Sequence, residues 1–235
     1  MTKRLTLLII VILNLFQYLS LSAQNWAKVT DVSNAVYTLN TDTVEDVLYI
    51  GGPFTYLNGD TVFGIVKYDG TNYIRMGCGL EWDCSFTPGG GNIGVRPNKI
   101  VRYNGDIYMT GNFIKSNNIT LNGLAKWDGS TWQAIGNGLT DGSVYTMGIN
   151  LKVLNNELYV CGYDFDSCAG VPANSIAKFN GTQWTDVHNF PDYNIGNVSD
   201  VEMYNGELYV GGNFYDSING DIWRIAKWDG SQWVS

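Results

Sequence analysis

The soft ligands in this chain of 235 residues are a single histidine, His188, and four cysteines, Cys78, Cys84, Cys161 and Cys168. A copper oxidase centre needs two imidazoles together with tyrosines, so one histidine closes that route and His188 reads as a polar residue on a strand. Acid pairs are present, with Glu81 and Asp83 flanking Trp82 and Asp164 and Asp166 flanking Phe165. Residues two apart in a loop fix no distance between carboxylates, so these read as turn and surface acids rather than as an acid and base pair. Asn58-Gly59-Asp60 and Asn219-Gly220-Asp221 recur in matching places. Oxygen-rich loops of this kind can take calcium, and Asn-Gly-Asp is equally what a tight turn requires. No glycine-rich phosphate loop leading into a helix, no nucleophile elbow and no helix-spaced metal motif occurs. The residues therefore specify no catalytic group, no cofactor and no metal, and the chain reads as something other than an enzyme.

The cysteines take their meaning from the N-terminus. Lys3 and Arg4 precede an apolar run from Leu5 to Leu19, and Ser20, Leu21, Ser22 and Ala23 follow before Gln24. Positive charge, short apolar run and small-residue exit make a secretory signal peptide over residues 1–23. The run is short for a membrane span and contains Asn14 and Gln17, so no integral membrane segment is expected after its removal. An exported chain favours oxidised cysteines. The spacing favours Cys78 with Cys84 and Cys161 with Cys168, each pair bracketing one loop; a four-thiolate zinc site would want closer pairs. Losing Lys3 and Arg4 takes the formal charge from −8 to −10. The remaining Lys and Arg are scattered, which excludes nucleic acid as a partner.

The elements that must position everything else are four repeats. Val47–Tyr73, Asp106–Trp132, Glu157–Trp184 and Glu207–Trp233 follow one pattern, and Tyr49, Tyr108, Tyr159 and Tyr209 mark the same place in each. A period of about 50 residues carried by short strand-like runs is the mark of propeller blades. In the last copy, Val198–Tyr204, Glu207–Val210, Trp223–Trp228 and Gln232 onward read as four strands, joined at the ends by Asn205-Gly206 and Asp229-Gly230. Both dipeptides are type I′ hairpin signals. The strands are apolar on both sides, as a blade sandwiched between neighbours requires. The predicted fold is all-β, a propeller of four-stranded antiparallel blades over approximately residues 35–80, 99–139, 144–190 and 198–235. An extra strand at Gln24–Val29 makes one strand too many for a four-bladed ring, which reads as an incomplete ring within a 24–235 propeller domain.

A strand ending in Gly-Gly, then a Tyr/Trp-Asp strand and a Trp a few residues on, resembles the kelch-type repeat. The form LYVGGNF…IAKWDGSQW is similar to secreted bacterial kelch-like propellers and to the propeller of fungal cortical polarity markers. The resemblance spans residues 24–235 and implies the fold, not an activity. It implies an exported or cell-surface protein, and the expected function is a binding or adhesion module for glycan or protein ligands. The alternative is a fragment of a secreted carbohydrate-active enzyme with its catalytic groups in further C-terminal blades. A sialidase-type Ser-x-Asp-x-Gly-x-x-Trp box is not matched, since Asp and Gly are adjacent in Trp127-Asp128-Gly129.

Turn lengths divide the disc into two ends. Asn104-Gly105, Asp128-Gly129, Asn205-Gly206 and Asp229-Gly230 are minimal connections at one end, which is expected to be closed. The long segments, Cys78–Asn98 and Tyr163–Asn174, share the other end. The aromatics that break the repeat, Tyr56, Trp82, Phe86, Tyr163, Tyr215 and Trp223, fall there as candidate ligand contacts.

Overall fold

Sixteen strands build four antiparallel blades in the computed structural model, which describes residues 30–80, 96–141, 146–188, 190, 196–215 and 222–234. Blade 1 is Thr38–Asp42, Val47–Gly51, Ile65–Tyr68 and Tyr73–Arg75; blade 2 is Arg96–Tyr103, Asp106–Asn112, Leu124–Trp127 and Trp132–Ala134. Blade 3 is Met147–Leu154, Glu157–Tyr163, Ile176–Phe179 and Trp184–Asp186; blade 4 is Asn197–Tyr204, Glu207–Tyr215, Ile222–Trp228 and Trp233–Val234. Within each blade the strands are hydrogen-bonded in sequence order, and no described residue is helical. The fold is the incomplete, propeller-like all-β one that the repeat predicts. The chain divides into two compact units, residues 1–31 and 32–235, and the blades belong to the second. The segment 1–23 read as a signal peptide, the strand expected at Gln24–Val29, and Trp82, Cys84 and Phe86 lie outside the described residues.

The core sits between blades. Tyr49 and Ile65 of blade 1 meet Ile107, Met109, Ala125 and Trp132 of blade 2. Tyr103, Tyr108 and Leu124 of blade 2 meet Leu151, Leu158, Val160 and Ala177 of blade 3, and Tyr159, Cys161 and Ile176 of blade 3 meet Leu208, Val210 and Ala226 of blade 4. Each blade therefore turns one apolar face forward onto an apolar face of the next, which is why the second and third strands of the blades are largely apolar on both sides. Glycine permits close approach between blades: a Cβ at Gly51 would lie 2.3 Å from Pro97 Cγ of blade 2. The first strands of blades 1, 2, 3 and 4 lie side by side in that order. Pairing of Tyr163 with Asn197 joins blades 3 and 4 into one continuous sheet.

The two kinds of turn differ from one another. Asn104-Gly105 (φ 49° and 89°) and Asn205-Gly206 (φ 51° and 83°) have positive φ at both central positions, as type I′ hairpins do. The Asp-Gly turns are not of that type, because only their glycine has positive φ. Asp128 Oδ1 accepts from the N–H groups of Ser130 and Thr131, both at 2.8 Å, and Asp229 Oδ1 does the same with Ser231 and Gln232 at 2.8 and 2.9 Å. The aspartate side chain thus closes a four-residue loop that the backbone would otherwise leave unsatisfied.

Two of the expected disulfide partners are thiols. Cys161 and Cys168 are free and fully buried. Cys161 packs in the core between blades 3 and 4 and Cys168 in the core between blades 2 and 3, so the sheet of blade 3 separates them. Bracketing one loop in sequence did not make them neighbours in space. Burial pushes both thiol pKa values up, which keeps them protonated. Cys78 is free and exposed.

Candidate functional site

At the loop end, the connections between second and third strands carry short ribbons: Tyr56–Leu57 with Asp60–Thr61, Lys115–Ser116 with Ile119–Thr120, and Ser167–Cys168 with Val171–Pro172. Asn58-Gly59, at φ 54° and 88°, forms the turn of the first ribbon. Among the described residues no group of three His, Cys, Asp or Glu side chains comes together as a metal site would need. Tyr56 is 53% exposed, and its backbone is tied to Ser33, whose hydroxyl accepts from Thr55 N–H and Tyr56 N–H at 2.9 and 3.0 Å. Tyr163 is exposed at the end of the second strand of blade 3. Blade 2 stands between these two tyrosines, so they do not form one patch. Nearer the inner strands, Arg96 lies 4.3 Å from the ring centre of exposed Tyr37, and Asn98 links Arg96 to the Gly148 carbonyl at 3.1 and 2.7 Å. The backbone of Trp223 pairs with Phe214 beside Tyr215, while the side chains of Tyr215 and Trp223 lie outside the described set.

The opposite end, expected to be closed, holds a cleft of about 330 Å³ between blades 1 and 2. Its origin is a departure in the first turn of blade 1, where Asp42 to Val47 replaces a two-residue hairpin with Thr43-Val44-Glu45-Asp46. Asp42 Oδ1 accepts from Val44 N–H at 3.0 Å and sets Glu45 over the cleft. Arg102 of blade 2 donates to Asp42 Oδ2 through Nε at 2.8 Å and Nη2 at 2.6 Å, and also to Glu45. Tyr49 donates its hydroxyl to Asp42 at 3.1 Å, and Lys67 reaches Glu45 at 3.1 Å. Burial works to raise the Asp42 pKa, but the bonds from Arg102, Val44, Glu45 and Tyr49 outweigh it and hold the carboxyl below its ordinary value. Lys67 and then Arg102 hold Glu45 low as well, and Asp42 and Glu45 raise Arg102.

Trp127 forms the apolar side of this cleft with Ile74 and Met76. The other interfaces show what normally covers a ring at this place. Phe179 of blade 3 meets Tyr103 and Tyr108 at 6.0 and 6.2 Å between centroids. Trp228 of blade 4 is covered by His188, which stacks on it at 4.4 Å and 7°. His188 thus lies in the turn just past the fourth strand of blade 3, with φ 53°. By strand register, blade 1 has Asp42 where blade 2 has Tyr103, and Gly77 (φ 64°) where blade 3 has His188. Both fillers are absent from the face of Trp127.

Several other ionisable groups are internal ties. Lys126 pairs with Asp106 at 3.1 Å, Lys178 with Glu157 at 3.0 Å and Lys227 with Glu207 at 2.9 Å, one pair per blade, and Lys67 with Glu45 replaces them in blade 1. Lys152 joins blade 3 to Asp200 and Glu202 of blade 4. These pairs are positioned to fasten strands. The chain matches no protein-family model and no curated protein sequence. No described helix is long and apolar enough to cross a membrane.

Sequence reasoning identified the exposed loop tyrosines and missed the cleft. The signal lay in the broken Asn-Gly pattern of the first turn of blade 1, together with Gly77 and His188 at equivalent places.

Proposed function

We propose that this chain is the binding module of an exported, kelch-like propeller, acting outside the cell or on its surface on glycan or protein ligands without a chemical step. The observation that supports this reading most directly is the division of labour among side chains. The blade acids Glu45, Asp106, Glu157 and Glu207 are each engaged by a lysine, while Tyr56 and Tyr163 stand exposed on loops at one end. Aromatic side chains raised on scaffolded loops offer apolar area with a polar handle, as sugar rings and protein partners require.

The test is binding of the exported protein to glycan arrays and to cell surfaces, with Tyr56→Ala, Trp82→Ala and Trp223→Ala beside the parent. Loss of binding at an unchanged melting temperature is the expected result. Hydrolysis of any arrayed glycan would favour the enzyme reading instead, and binding unaffected by all three substitutions would remove the loop end from consideration. Intact mass of the secreted form should begin at or beside Gln24.

A further inference from the structure

The cleft between blades 1 and 2 is a site in its own right, at the end of the disc away from the loops. We propose that it binds a neutral pyranose, with the sugar's C–H face on Trp127 and adjacent hydroxyls across Lys67 and Glu45.

Three observations lead there. The first is a partly buried ring, packed on Trp132 at 5.1 Å between centroids, that lacks an aromatic cover from the preceding blade. The three described interfaces each place an aromatic at the end of the third strand of the following blade, and two of them cover it with a ring supplied by the preceding blade, Tyr103 on Phe179 and His188 on Trp228. At Trp127 the corresponding residues are Asp42 and Gly77. The backbone of Gly77 comes close enough that a Cβ there would lie 3.3 Å from Trp127 Cζ3. The parallel stacking of His188 on Trp228 marks the place where a ring-shaped guest would lie on Trp127.

The second is charge balance. Asp42, Arg102, Glu45 and Lys67 alternate in sign and are joined to one another. A charged guest placed within this linked set would have to break a pair, at the cost of stranding the other member, while Arg75, which also lines the cleft, is exposed to solvent. A guest that both donates and accepts while carrying no net charge meets no such penalty.

The third is the hydrogen-bonding capacity left over. Lys67 uses one of its three N–H groups on Glu45, and each side chain keeps part of its surface open, 28% and 43% respectively. An ammonium and a carboxylate side by side suit vicinal hydroxyls, each of which can donate and accept. The cleft volume of about 330 Å³ falls within the range of small-molecule sites, at the end that suits one or two sugar rings.

The full chain would be titrated with neutral methyl pyranosides and their oligomers, and with matched uronates and amino sugars, by calorimetry and ligand-observed NMR. Gly77→His is the decisive variant: it installs the lid that His188 already provides at similar φ, so the fold should be kept. Neutral sugars should bind, charged ones should bind more weakly, and Gly77→His should reduce affinity by roughly tenfold or more. Glu45→Gln combined with Lys67→Gln, outside the buried core, should weaken binding in the same sense and stands in if Gly77→His lowers the melting temperature. Tyr56→Ala and Tyr163→Ala at the loop end should leave this binding unchanged, which separates it from the function proposed above. Absence of any neutral-sugar binding, a preference for charged sugars, or full binding by the folded variants would overturn the proposal.

Discussion

Asp42 is the side chain on which the first interface depends most. It is 4% exposed and takes bonds from Arg102, Tyr49 and the backbone of its own turn. Asp42→Ala should leave Arg102 half-buried beside Glu45 alone and cost roughly 3 kcal/mol, measured by denaturant unfolding. The same group gives a pH signature. Its folded pKa lies below the ordinary 3.8, and that of Glu45 below 4.5, so both contribute stability that is present above those values and lost as pH falls through the lowered ones. Acid unfolding of Asp42→Ala should therefore show a shallower fall between about pH 5 and pH 2. The cysteines give a second residue-level test. A thiol reagent should modify Cys78 in the native protein and reach Cys161 and Cys168 only on unfolding, as read by peptide mass spectrometry; mutual protection of Cys161 and Cys168 by a disulfide would contradict their separate cores.

At the scale of the elements, the blades were legible because hairpin chemistry is local. Asn-Gly at positive φ between apolar runs has few alternatives, and the four repeats reinforce one another. Gly105→Ala, at φ 89° in such a turn, should cost about 1 kcal/mol and leave the sheet otherwise intact by amide NMR. The Asp-Gly loops were misassigned because the aspartate side chain fixes them together with one backbone bond, Asp128 N–H to the Thr131 carbonyl and Asp229 N–H to the Gln232 carbonyl, both at 3.1 Å, and the dipeptide alone does not distinguish the two cases. The pairing of Cys161 with Cys168 failed for a related reason, since nearness in sequence says nothing about which face of a blade a residue occupies. The cleft was hidden more deeply. It depends on Asp42, Gly77 and Trp127, far apart in the chain, departing together from what Tyr103, His188 and their partners do elsewhere. Only the strand register shows these positions to be equivalent.

For the whole molecule, the forward face of blade 4 has nothing described upon it. Tyr204 is 64% and Ile225 59% exposed, whereas their counterparts Tyr103 and Ile176 are buried beneath the following blade. Tyr103 there donates its hydroxyl to the Asn156 carbonyl of the next turn at 2.8 Å, a bond that Tyr204 has the geometry to repeat with a partner. An apolar sheet face of this kind promotes association. The protein should sediment as concentration-dependent oligomers, and Tyr204→Ser with Ile225→Lys should shift it to monomer with little change in melting temperature. A monodisperse parent over the same concentrations would mean that this face is covered by other means.

The packing of blades in strict chain order, each on the one before it, also bears on how the molecule comes into being. The principal strand contacts between the described blades all join neighbouring repeats, so the main packing of an early strand does not wait for a distant one. Such an architecture can be laid down in the direction of synthesis, every newly released repeat condensing on the apolar surface its predecessor has just presented. The partly built protein at any moment then has one growing end.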